Sequence, residues 1–133
     1  MFFKQLLKDQ TACASDLLGC TSHRQFAVVE AHIDLVERYL ALTEAQGAPI
    51  VAVLETHVQA DHVSGLPEGH AHRRNRVATR RRGVEFEHCA PGDGERVTLC
   101  NTVIEALATP GHAAAHHAYL VTDLTAETSR GWC

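Results

Sequence analysis

No apolar run in this chain approaches the ~20 residues that a membrane-spanning helix needs. The start of the chain, Met1 to Leu7, is too short and too broken by Lys4 and Lys8 to read as a signal peptide. Charge of one sign is also missing. A net charge of −4 gives no overall reason to expect nucleic acid or a membrane surface as partner. The cysteines Cys13, Cys20, Cys89, Cys100 and Cys133 are odd in number and contain no C-x-x-C, which argues against both a disulfide framework and a thiolate zinc knuckle. They read as reduced thiols, mostly small core residues, of a soluble cytoplasmic protein. Absent as well are a G-x-S-x-G elbow, a phosphate loop and G-x-G-x-x-G, so serine hydrolysis, nucleotide hydrolysis and dinucleotide binding lack support. Cys89 beside His88 has no third group to orient it as a nucleophile. No internal repeat is visible.

What remains is enough for one domain with a real core, 133 residues long and carrying ten histidines. That histidine count raises the expectation of metal or acid–base chemistry. Phe2 to Leu7, Ala12 to Leu18 and Gln25 to Glu30 read as an antiparallel meander, with Gly19 to Ser22 as a turn. Asp34 to Gln46 has a broad apolar stripe (Leu35, Val36, Tyr39, Leu40, Leu42). Asp34 and Glu37 suggest a capping box at its start, and Gly47 and Pro49 end it. Ile50 to Leu54 is apolar without alternation, as expected of a strand covered on both faces. Further on, Val84 to Glu87 alternates, and Arg96 to Leu99 with Thr102 to Ala108 forms a hairpin around Cys100-Asn101. His117 to Thr122 is a last strand, and residues 123–133 read as a disordered tail.

Residues 68–82 are different in character. They hold six of the ten arginines and almost nothing that packs. A solvated loop is the plain reading. A nucleic-acid patch lacks interleaved aromatics. Arg, Ala and His crowding without periodicity also fits translation out of frame, which re-reading the coding DNA decides.

The chemistry gathers where the chain leaves the buried strand, in T-H-V-Q-A-D-H-V-S-G from Thr56 to Gly65. His57, Asp61 and His62 can turn towards one point, and neutral imidazole and carboxylate suit zinc, iron or manganese. A lone H-x-x-x-D-H equally serves as a helix cap. His112, after T-P-G at the end of a second apolar run, adds a donor from a separate part of the chain, as folded metal sites require. Of His116 and His117, one is expected to face the site and the other to begin the strand. His23, His32, His70, His72 and His88 read as surface residues.

The two motifs, with F-A-V-V-E before the helix and V-I-E-A-L-A-T-P-G-H after the hairpin, resemble the metallo-β-lactamase superfamily. More narrowly, E-T-H-x-x-A-D-H-V-S-G looks like its branch of persulfide dioxygenases and glyoxalase II-like hydrolases. The resemblance covers residues 1–67 and 83–122. It implies an α/β fold, the N-terminal part of an αββα sandwich, with one sheet and one helical layer largely present in a single partial domain over 1–133. It implies iron(II) held by His57 and His112 in the dioxygenases. In the hydrolases, Asp61 and His62 serve a second metal, zinc being the alternative ion, and Asp61 is the catalytic carboxylate. The implied substrate is a glutathione-type thiol or persulfide, with no nucleic acid or membrane and a homodimer left open. Gln59 stands where the family's second His of H-x-H is found, which favours the mononuclear, dioxygenase-like reading over thioester hydrolysis. The later G-D motif with its ligand Asp is not found. A non-enzymatic remnant is therefore the third hypothesis, and weak or absent turnover is expected of the chain as written.

Overall fold

The computed structural model describes residues 1–8, 13–20, 22, 24–57, 76–77 and 89–125, the pair 76–77 as backbone. Among the described residues eight strands make two sheets: β1 Phe2–Leu7, β2 Ala14–Cys20, β3 Gln25–Val29, β4 Ile50–Leu54 and β5 Arg76–Val77 in order in the first, β6 Arg96–Leu99, β7 Thr102–Ala108 and β8 His117–Asp123 in the second. Helix α1, Val36–Ala45, follows a 3-10 turn at Ile33–Leu35. Strands β1 to β3 form the expected antiparallel meander, and β3 to β4 is a parallel crossover through α1. Among the described residues no helix is long and apolar enough to cross a membrane.

The patternless apolar runs explain the layering. Alternate residues of β2, β3 and β4 point to opposite faces of the first sheet. Leu17, Phe26, Val28, Ile50 and Val53 pack on the α1 side with Leu35, Val36 and Tyr39. Leu18, Ala27, Val29, Ala52 and Leu54 pack on the other side against Leu99 and Ile104 of the second sheet. The register shift between Phe26 and Ala27 puts one extra residue into β4. As a result Val51 and Ala52 both side with the inter-sheet core. Helix, sheet and sheet are therefore three layers, and strands of both sheets are present where one sheet was expected.

Several local expectations shift. Asp34 does not cap the helix. The first turn is 3-10, and the His32 imidazole accepts the Asp34 N–H through Nδ1 at 3.1 Å. The Asp34 carboxylate instead pairs with Lys8 at 2.8 Å, which holds its pKa below the usual carboxylate range. His32 is thus buried rather than a surface residue. The C-terminus of α1 behaves as read. Gly47, at φ 62, lets its own N–H reach Glu44 O (2.8 Å) and the Ala48 N–H reach Thr43 O (3.0 Å), a Schellman closure. Gly19 and Cys20 belong to β2 and not to a turn. Cys20 is buried, but Cys13 and Cys89 are exposed, so the thiols are not mostly core. In the basic window, Arg76–Val77 pairs with Val53 and Leu54 as a strand, in place of the expected loop. The rest of 68–82, Val84–Glu87, His23, His70, His72, His88 and Cys133 lie outside the described residues. The final strand runs through Asp123, and Thr125 bonds back to it, so order extends past the expected start of the tail.

Asp123 also ties the ends of the two sheets. Its carboxylate receives the Met1 ammonium at 2.8 Å. That hydrogen bond, helped by those from Thr125, holds the carboxyl well below its ordinary value. A group depressed in the folded state stabilises above its unfolded pKa (about 3.9) and loses that contribution as pH falls towards the folded value. Asp123→Asn should therefore lower Tm at pH 7 and leave it close to the parent's in strong acid, as read by thermal melts across pH. A Cβ placed on Gly19 would stand 2.5 Å from the Gln25 carbonyl oxygen and 2.7 Å from the Phe26 ring. Gly19→Ala should accordingly cost about 1–3 kcal/mol in urea unfolding, as overpacking does.

Candidate metal centre

Three chain segments meet at the end of the sandwich where β3 and β4 finish. Glu30 follows β3 in the left-handed region, at φ 53, and its N–H bonds Leu54 O at 2.9 Å. Glu55, Thr56 and His57 follow β4. The third segment is the β7–β8 connection, carrying His112 and His116, with His117 opening β8. Its departure from β7 is fixed by the Asp93 carboxylate, which accepts the Ala108 N–H at 2.8 Å. Its return is fixed by the Thr109 N–H on His116 O at 2.9 Å.

A directional set of hydrogen bonds orients His57. The Glu30 carboxylate accepts both the backbone N–H (2.5 Å) and the hydroxyl (2.6 Å) of Thr56. With its proton committed to Glu30, Thr56 Oγ1 can only accept from His57 Nδ1, 2.8 Å away. That assigns Nδ1–H to His57 and leaves Nε2 with its lone pair, the state a metal-ligating imidazole needs. Glu30 Oε1 lies 3.9 Å from the same Nδ1. Behind Glu30 the bonds continue into the core. Its carbonyl accepts from Ser15 Oγ (2.5 Å), Ser15 Oγ from Tyr39 OH (2.7 Å), and Tyr39 OH from the His32 N–H (3.1 Å).

The second sheet is clamped to the same place. The His117 N–H donates to Thr56 O at 2.8 Å, and Tyr119 OH donates to Glu55 O at 2.8 Å. Burial, with the charges of Glu55 and Glu30 nearby, pushes the Tyr119 phenol well above its ordinary range, so it remains a donor. His117, the first residue of β8, is buried, with no hydrogen-bond partner for Nδ1 among the described residues.

This geometry brings His57 and His112 together, their ring centroids 5.2 Å apart. His116 stands equally close to His57, at 5.2 Å, and 6.2 Å from His112. Its Nδ1 is 2.9 Å from Thr109 Oγ1, so a threonine hydroxyl addresses this ring too. Two imidazoles sharing one zinc in a tetrahedral shell have centroids roughly 5 Å apart, given Zn–N distances near 2 Å. The donor chemistry and ring spacing therefore fit a divalent transition metal. The set is partial: among the described residues no group of three or more His, Cys, Asp or Glu side chains is drawn together tightly enough to hold an ion. Asp61 and His62, along with Gln59, lie outside the described residues. Glu30 and Thr56 were not singled out from sequence. A carboxylate directly after an all-apolar strand, and a threonine directly before the histidine, are the signals that could have found them.

No protein-family model matches the chain. It is 30% identical over 122 residues to a hydroxyacylglutathione hydrolase of Synechococcus sp., covering 86% of this chain and 45% of that protein. To the hydroxyacylglutathione hydrolase of Prochlorococcus marinus it is 35% identical over 74 residues, covering 53% and 28%. The chain thus spans less than half the length of these curated relatives. Among solved structures, ETHE1 from Myxococcus xanthus superposes with a TM-score of 0.80 at 26% identity, over 91% of this chain and 54% of that one. A metallo-β-lactamase from Staphylococcus aureus gives 0.79 at 24% identity, over 92% and 39%, a likeness of fold.

The Thr56 hydroxyl sets the His57 tautomer, so Thr56→Val should release it. Nitrogen NMR of the imidazole should show Nδ1–H alone in the parent and mixed tautomers in the variant. Zinc affinity by calorimetry should fall roughly 10–100-fold, as losing an orienting partner does. Thr56→Ser should restore both.

Proposed function

Because the chain belongs to the metallo-β-lactamase superfamily, we propose that His57 and His112 hold a metal ion, with His116 beside them, and that the protein acts on a glutathione-type sulfur substrate. The observation that carries this reading is the approach of the His57 and His112 rings at one end of the sandwich, His57 with its tautomer set by Thr56 and Glu30.

His57 offers Nε2, and the Glu30 carboxylate, acting through Thr56, holds the ring in the orientation that presents it. His112, exposed at the rim, offers a donor on the solvent side. Ala113, Ala114 and Ala115 leave the approach beside it uncrowded. His117 and Tyr119 act through the backbone, holding the β8 side of the site against Glu55 and Thr56. Asp61 and His62 are proposed as donors to the same centre, Asp61 as its carboxylate. Iron(II) bound there supplies one-electron and O2 chemistry, while zinc in its place supplies Lewis acidity towards a thioester carbonyl.

Between those two chemistries, Gln59 favours oxidation of a glutathione persulfide at a single iron, because it removes a donor that a two-metal hydrolase uses. The opposite reading, hydrolysis of a glutathione thioester, is supported by the likeness to hydroxyacylglutathione hydrolases. The location we propose is the cytoplasm, in keeping with a glutathione-type substrate.

The test starts with metal content. Purified chain should carry iron or zinc near stoichiometry, and a His57→Ala, His112→Ala double variant should carry almost none. Equal metal in both, or none in either, overturns the assignment of these histidines. With metal established, O2 uptake on adding glutathione persulfide supports the oxidation reading. Anaerobic cleavage of a glutathione thioester in its place replaces that reading with the hydrolytic one.

A further inference from the structure

Away from the imidazoles, two cysteines from different sheets meet. Cys20 ends β2 in the first sheet and is buried, 4% exposed. Cys100 sits at φ 53 in the two-residue turn between β6 and β7 of the second sheet. Gln25 is the register partner of Cys20 across β2 and β3, so the two side chains lie on the same face. Cys100 Sγ donates to that Gln25 side chain, Oε1, at 3.5 Å. The Cys20 and Cys100 side chains thus share the Gln25 side chain as a common neighbour. Both are present as thiols.

We propose that Cys20 and Cys100 form an oxidative modification site, a dithiol that a small disulfide of the glutathione class converts into a covalent bridge between the two sheets. The juxtaposition is independent of the metal site and of its reading. The exchange balances without any further reagent. Cys100, the more accessible thiol, loses its proton to solvent. Its thiolate attacks one sulfur of the small disulfide, and the other sulfur leaves as a thiolate. Cys20 then gives up its proton and attacks Cys100 Sγ. The Cys20–Cys100 bond forms, the mixed disulfide breaks, and the second small thiol departs. Two protein thiols are oxidised and one small disulfide is reduced to two thiols. Burial, with Cys20 beside it, holds the Cys100 thiol above its ordinary pKa, so closure is slow compared with that of a catalytic dithiol.

The bridge would join the meander to the β6–β7 turn across a long stretch of chain, and cross-links over long loops constrain the unfolded state most. The test uses the full chain with Cys13→Ser, Cys89→Ser and Cys133→Ser, which leaves only the proposed pair. After incubation with oxidised glutathione, intact mass should fall by two hydrogens with no glutathione adduct retained, and digestion should give one cross-linked peptide containing Cys20 and Cys100. Tm should rise by about 5–10 °C and return on reduction with dithiothreitol. A stable glutathione adduct on either cysteine, or an unchanged mass after prolonged exposure, overturns the proposal. Cys100→Ala in the same background should gain at most one adduct and show no reversible rise in Tm. A reversible rise there also overturns it.

Discussion

The Glu30 carboxylate is the constraint on which the candidate site depends. It stands at the end of β3 in a backbone conformation that non-glycine residues rarely adopt. From there it takes both hydrogen-bond donors of Thr56, the second residue beyond β4. One side chain therefore fixes where the next strand's exit goes, commits the threonine proton, and through that commitment sets which nitrogen of His57 is bare. The strain of a left-handed Glu30 is held by its N–H on Leu54 O and by Ser15 on its carbonyl, both anchored in the core. A Glu30 that relaxed to an ordinary conformation would point its carboxylate elsewhere.

That anchoring explains why so many polar groups are buried near the helix. Ser15, Tyr39 and the backbone of His32 form a run of donors and acceptors, each satisfied by the next. Buried polar groups are costly only when left unpaired. Here they link α1 on one face of the first sheet to the loop that carries the site. The helix layer therefore contributes to site geometry although none of its own side chains lies near the imidazoles.

Much of the architecture was legible in the sequence, for a physical reason. Apolar runs without alternation, at Phe26 to Val29 and Ile50 to Leu54, demand cover on both faces, and only a layered arrangement supplies it. The glycine at position 47, followed by a proline, marks the helix end wherever it occurs. The start of the helix is not legible because Asp34 looks like a cap by residue type, whereas a histidine two places earlier has an equally good acceptor in its Nδ1. Polarity alone puts His32 on the surface, whereas its burial follows from the partners it finds. The pairing of Arg76–Val77 with β4 was invisible because two residues carry no periodicity. Of the site, His57 and His112 were legible from motif and position. The role of Glu30 was not, because it works through space on a residue of another segment.

The contact between the His117 N–H and Thr56 O has a kinetic meaning. The meander, the helix and β4 are close in sequence and can assemble early, while His112 and His116 reach His57 only once the β7–β8 hairpin has docked on the first sheet. During synthesis, the imidazoles would remain apart until most of the described chain had left the ribosome. A divalent ion would then meet a site that exists only in the docked sandwich and, by binding that state alone, would favour closure of one sheet upon the other.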